Sequence, residues 1–106
     1  MRQIERDMNR AIRHRKNMSK QNTSVRCYRE EIEVRLHGNL IGTVDTASNQ
    51  LRIFDGGWQT VTTKSRLNAL LDEFSTGTGV IQRNFEWFLT YKHLKEDFVS
   101  GMEVAL

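Results

Sequence analysis

The chain has 106 residues with 27% charged residues and a net charge of +3, about the length of one domain, which excludes a multidomain enzyme and disfavours a deep enclosed pocket. One cysteine, Cys27, excludes an internal disulfide and a multi-Cys zinc site and fits a reducing compartment. No long apolar run and no proline occur, so neither a membrane span, a leader peptide nor a stiff linker is expected.

Charge is divided unevenly. Residues 1–26 carry eight Lys and Arg against Glu5 and Asp7, a net +6, and the other eighty residues come to −3. Ile4, Met8, Ala11 and Ile12 recur at i, i+4, i+7 and i+8, which predicts a helix over roughly residues 3–16 with a narrow apolar stripe and a broad arginine face. Arg6, Arg10 and Arg13 fall on one side of it, and Arg15 with Lys16 extends that side, a spacing suited to a polyanion. A solvated face, or an arm folded back on its own body, is the alternative. The expected organisation is a basic helical arm, residues 1–22, ahead of a single compact domain, residues 23–106. Such a helix is marginal alone.

From Ser24 to Phe54 the period is two. Ile32, Val34 and Leu36 alternate with charged residues, His37-Gly38-Asn39 supplies a turn, and Leu40, Gly42 and Val44 alternate again. A three-residue loop sets Leu36 against Leu40 and Ile32 against Val44. Leu51–Phe54 forms a third strand, ended by Asp55-Gly56-Gly57. Leu67, Leu70, Leu71 and Phe74 then predict a helix over residues 62–75, capped by Thr62 or Thr63 and stopped at Gly77. Residues 80–91 read as one long aromatic strand with Phe85, Trp87, Leu89 and Tyr91 on a shared face. A polar loop over Lys92–Asp97 and a short last strand at Met102–Val104 follow. The fold class is α+β: an N-terminal helix, a three-strand antiparallel meander, one helix packed on the sheet, one long strand and a short last one.

The segments Leu36-His37-Gly38-Asn39-Leu40-Ile41, Gly56 to Leu70 and Phe85-Glu86-Trp87-Phe88 resemble a group of small, mostly uncharacterised tailed-bacteriophage proteins. The run Gly-Trp-x-Thr-x-Thr-Thr-Lys-Ser-Arg-Leu-Asn, here Gly57 to Asn68, carries the likeness. The similarity spans roughly residues 18–104, with the first seventeen departing from the pattern. It implies a viral accessory protein in the host bacterial cytoplasm and brings no known activity.

Thr62, Thr63, Lys64, Ser65 and Arg66 stand at a helix N-terminus, where acidic residues are usually favoured. Two cations there, with three hydroxyls, suit a bound phosphate or carboxylate; a helix capped by Thr62 or Thr63, with Lys64 and Arg66 in solvent or paired with Asp55 or Glu73, is the alternative. Trp58 after two glycines is an interface anchor or a core residue at the sheet edge. Phe85, Trp87 and Phe88 suit base stacking on an open sheet or an ordinary core. His14, His37, His93 and Cys27 show no metal-ligand spacing, so no catalytic residue, metal or cofactor is expected. The leading reading is non-catalytic binding of nucleic acid or a nucleoprotein complex. The alternatives are an inhibitor of a bacterial defence or transcription protein and a self-associating virion or assembly component.

Overall fold

The computed structural model describes residues 1–105; Ala105 is described by its backbone alone, and Leu106, the end of the expected 23–106 domain, lies outside the described residues. Helix α1 (Gln3–Arg13) leads into strands β1 (Met18–Lys20), β2 (Thr23–Cys27), β3 (Glu31–Leu36), β4 (Asn39–Asp45) and β5 (Gln50–Ile53). Helix α2 (Val61–Phe74) follows, then β6 (Thr78–Arg83), β7 (Glu86–Tyr91), β8 (Leu94–Asp97) and β9 (Met102–Ala105). The strands form two antiparallel sheets, ordered β1-β2-β3-β4-β5-β9 and β6-β7-β8. The α+β class, the helix–meander–helix order and the short last strand follow the sequence reading.

Four details differ. Residues Met18–Cys27 form a hairpin that extends the meander. The β3–β4 loop has two residues, His37 and Gly38, both with positive φ (53° and 79°), so Leu36 faces Asn39. A register shift at Val34/Arg35 takes up one residue of β4, which restores the expected pairing of Ile32 with Val44. Residues 78–91 are a hairpin, β6–β7, folding at Asn84-Phe85. That turn contains neither Gly nor Pro, so the aromatic run on either side of it looks continuous. Finally, Leu94–Asp97 pairs with β7 instead of looping.

Helix α2 lies on the large sheet through Leu67, Leu70 and Leu71, all fully buried, each burial stabilising by about 1.5–3 kcal/mol. Gly42 permits the close approach: a Cβ there would stand 3.1 Å from Leu70 Cδ1. Helix α1 lines one flank of α2 and β6 the other. On the β6 side the Asn68 amide works as a strand segment, with Oδ1 accepting the Val80 N–H at 2.8 Å and Nδ2 donating to the Val80 carbonyl at 3.1 Å. Trp87 is buried beneath the smaller sheet, edge-on to Phe98 at 5.3 Å between ring centroids.

Candidate functional site

The apolar stripe of α1 is spent inward, with Met8 fully buried and Ile12 nearly so. At its start, Glu5 Oε1 accepts the Arg2 N–H at 3.2 Å, satisfying one orphan donor of the first turn. At its end, Lys16 N–H donates to Ala11 O at 2.9 Å and Arg15 N–H to Ile12 O at 3.2 Å. This is a Schellman stop with Arg15 at the left-handed position (φ 52°) that glycine usually holds.

Arg6, Arg10, Arg13, Arg15 and Lys16 are all exposed. Arg6 and Arg10 are separated by about 6 Å along the axis, one helical turn. Arg13 Nε is 2.9 Å from Glu73 Oε1, and its guanidinium carbon sits 5.3 Å over the Phe74 ring. The Arg13 hydrogen bond holds Glu73 below the usual carboxylate range and raises Arg13. Hydrogen bonds from Lys20 and Gln3 lower Asp7 in the same way. Among the described residues, Arg6, Arg10, Arg15 and Lys16 have no carboxylate within 4.0 Å. Two shallow hollows flank them. One of about 350 Å³ is lined by Arg6, Arg10, Arg13 and Glu73, and one of about 320 Å³ by Asp7, Arg10, Lys16 and Lys20. Arg10 and His14 line both and form the ridge between them.

The second set of expected residues, at the start of α2, does not form a cationic corner. Thr60, not Thr62 or Thr63, is the cap: its Oγ1 accepts the Thr63 N–H at 3.1 Å and shares a 3.0 Å hydrogen bond with Thr63 Oγ1. Thr63 is thereby buried, and Thr62 is half-buried. Arg66 is 3% exposed. Its Nη1 meets Glu5 Oε2 at 2.8 Å, its Nε donates to Thr23 Oγ1 at 3.1 Å and its Nη2 to Asn22 Oδ1 at 3.3 Å. Ser65 Oγ donates to the same Glu5 oxygen at 2.6 Å. Ser65 and Arg66 therefore tie α2 to α1 and to the start of β2. Lys64 points the other way, its Nζ donating to Gln82 Oε1 at 3.3 Å. Sequence reasoning missed Glu5 as the partner. The signal was an acidic residue at the third helical position of α1, next to an otherwise apolar stripe.

Trp58 is 70% exposed. It stands at the rim of a cleft of about 390 Å³ at the start of α2, floored by Leu36 and Ile41 and bordered by Asp55, Thr60 and Thr62. Among the described residues no group of three or more His, Cys, Asp or Glu is placed to hold a metal ion, and no helix is long and apolar enough to cross a membrane.

No curated protein and no solved structure matches the chain. One family model does, over residues 1–105. That span corrects the expectation that the first seventeen residues depart from the pattern: α1 and its arginine face lie within it. The chain thus belongs to the family described as Kyanoviridae Gp96 protein, and it is a bacteriophage protein.

Proposed function

We propose that this phage protein is a non-catalytic accessory factor that binds nucleic acid or a nucleoprotein complex in the host cytoplasm through the outer face of α1. The observation that carries the reading is that, among the described residues, Arg6 and Arg10 on α1 and Arg15 and Lys16 in the turn that ends it are exposed without a carboxylate partner, while the other face of the helix is locked into the core. A docked helix presents its cations at fixed spacing, so little ordering remains to be done when a phosphate backbone arrives. Counterion release makes the contact salt-dependent. Burial pushes the Cys27 thiol up, the opposite of what a thiolate nucleophile requires, in keeping with a binding role. Arg66, expected to contribute at the α2 corner, takes no part in the interface, because Glu5 consumes it.

The test is duplex binding across a salt series by the full chain and by the variant R6A/R10A/R15A/K16A. Loss of four phosphate contacts lowers the slope of log K against log salt by about 3–4. An unchanged slope rejects the interface. A second reading, docking to a host protein through Trp58, is supported by the exposure of that indole beside the 390 Å³ cleft. It predicts that W58A, and not the α1 variant, removes the biological effect.

A further inference from the structure

The β6–β7 hairpin turns through Asn84 and Phe85, with φ of 51° and 67°, between the paired residues Arg83 and Glu86. Two successive positive φ values mark the type I′ turn, for which Asn-Gly is the favoured pair. The β3–β4 hairpin has the same pattern and places Gly38 at the second position. Here that position is Phe85. A bulky side chain in the left-handed region is a true outlier, because its Cβ crowds the following carbonyl. The fold recovers nothing from the ring: Phe85 is 91% exposed, and no aromatic or cation contact to it exists among the described residues.

The hairpin behind it is firmly held. Asn68 grips both backbone groups of Val80, Lys64 reaches Gln82, and Val80, Trp87 and Leu89 are buried. The ring therefore projects from the tip of a packed hairpin. Two cations stand beside the turn through Gln82: Arg83, whose Nη1 donates to the Gln82 carbonyl at 3.0 Å, and Lys64, whose Nζ donates to Gln82 Oε1 at 3.3 Å; the first turn of α2 holds no acidic residue, and Glu86 is the one carboxylate adjoining the turn in sequence. The tip also lies at the same end of the molecule as the start of α1. Glu5 meets Ser65 and Arg66 while Gln82 meets Lys64, so helix and hairpin flank the first turns of α2 from opposite sides.

We propose that Phe85 is a base-contacting residue: its ring stacks on an unpaired nucleobase while Arg83 and Lys64 hold the adjoining phosphates. The proposal rests on the polyanion reading of α1 and gives it a substrate class, single-stranded nucleic acid. Every base offers a π face, so an aromatic projection binds without sequence preference.

The experiment uses the full chain with labelled oligo(dT), oligo(U) and a duplex of equal phosphate number. F85G creates the favoured Asn-Gly turn and raises Tm by about 4 °C. The same variant weakens single-strand binding about tenfold and leaves duplex binding unchanged. F85L, which keeps the apolar bulk and the backbone conformation without a π face, loses single-strand affinity as F85G does, and F85W retains it. The oligo(dT) and oligo(U) arms separate DNA from RNA. Unchanged single-strand affinity in F85G overturns the proposal and leaves the ring to a protein partner, and an equal loss on duplex and single strands overturns it too. If the α1 variant still loses duplex affinity in that case, only the stacking role falls. If the wild-type chain binds none of the three probes, the polyanion reading falls with it.

Discussion

On the inner side of α1 Glu5, 2% exposed, meets Arg66, Ser65 and the Arg2 amide through its carboxylate; on the outer side Arg6 and Arg10 stand in solvent with no carboxylate within 4.0 Å among the described residues. One helix thus uses charge in two ways. A guanidinium and a carboxylate taken out of water must satisfy each other, and here the remaining Arg66 donors find Thr23 and Asn22. Outside, water solvates each guanidinium, so four cations gather at little structural cost. The inner pair fixes where the helix sits, and the outer set is left for a partner.

The largest expected effect comes at Glu5. Glu5→Ala leaves Arg66 charged and buried without its carboxylate, at a cost of about 3–5 kcal/mol in urea unfolding. Replacing both partners with apolar residues, Glu5→Leu with Arg66→Met, recovers most of that loss. A single-variant loss below about 1 kcal/mol would show that the pair does not hold α1 in place. Next in size is Arg13→Ala on the outer rim. Its bridge to Glu73 and its stacking over Phe74 are solvent-exposed, so stability falls only slightly, and less at high salt. A loss as large as that of Glu5→Ala would mean that the two sides of the helix are not distinct.

Periodicity revealed the helices and the meander because each buries one face: Ile32, Val34 and Leu36 at period two, Leu67, Leu70 and Leu71 at the helical spacing. The β6–β7 and β7–β8 turns were invisible because Asn84-Phe85 and Lys92-His93 contain neither Gly nor Pro. The α1 cations could be read directly, since exposure follows from opposing the apolar stripe. Arg66 could not: two residues from Lys64 on the same helix, it turns inward only because Glu5, sixty-one positions away, waits there. Long-range pairing of buried charge leaves no local pattern. Thr60 lost the cap in prediction to its neighbours, because three threonines within four positions are equivalent until the backbone chooses among them.

The smallest expected effect comes from acid, and it separates the two sides of α1. Asp7 and Glu73 lie below their ordinary values in the folded protein because Lys20 and Arg13 hydrogen-bond to them, and Asp45 does so because the Ser48 and Ala47 amides donate to it. A depressed folded value means that each carboxylate adds stability above its unfolded value and loses it as pH falls through the folded one. The loss therefore develops below about pH 4. Protonating Asp7 and Glu73 also frees Lys20 and Arg13, so the outer face of α1 becomes more cationic as the fold weakens. Heparin, whose sulfates stay charged in acid, provides the readout. Between about pH 5 and pH 3 its affinity rises while Tm falls, and D7N/E73Q shows a smaller rise because those two carboxylates are already neutral. Affinity that declines in step with Tm in both proteins would mean that the arginine face has no life independent of the core beneath it.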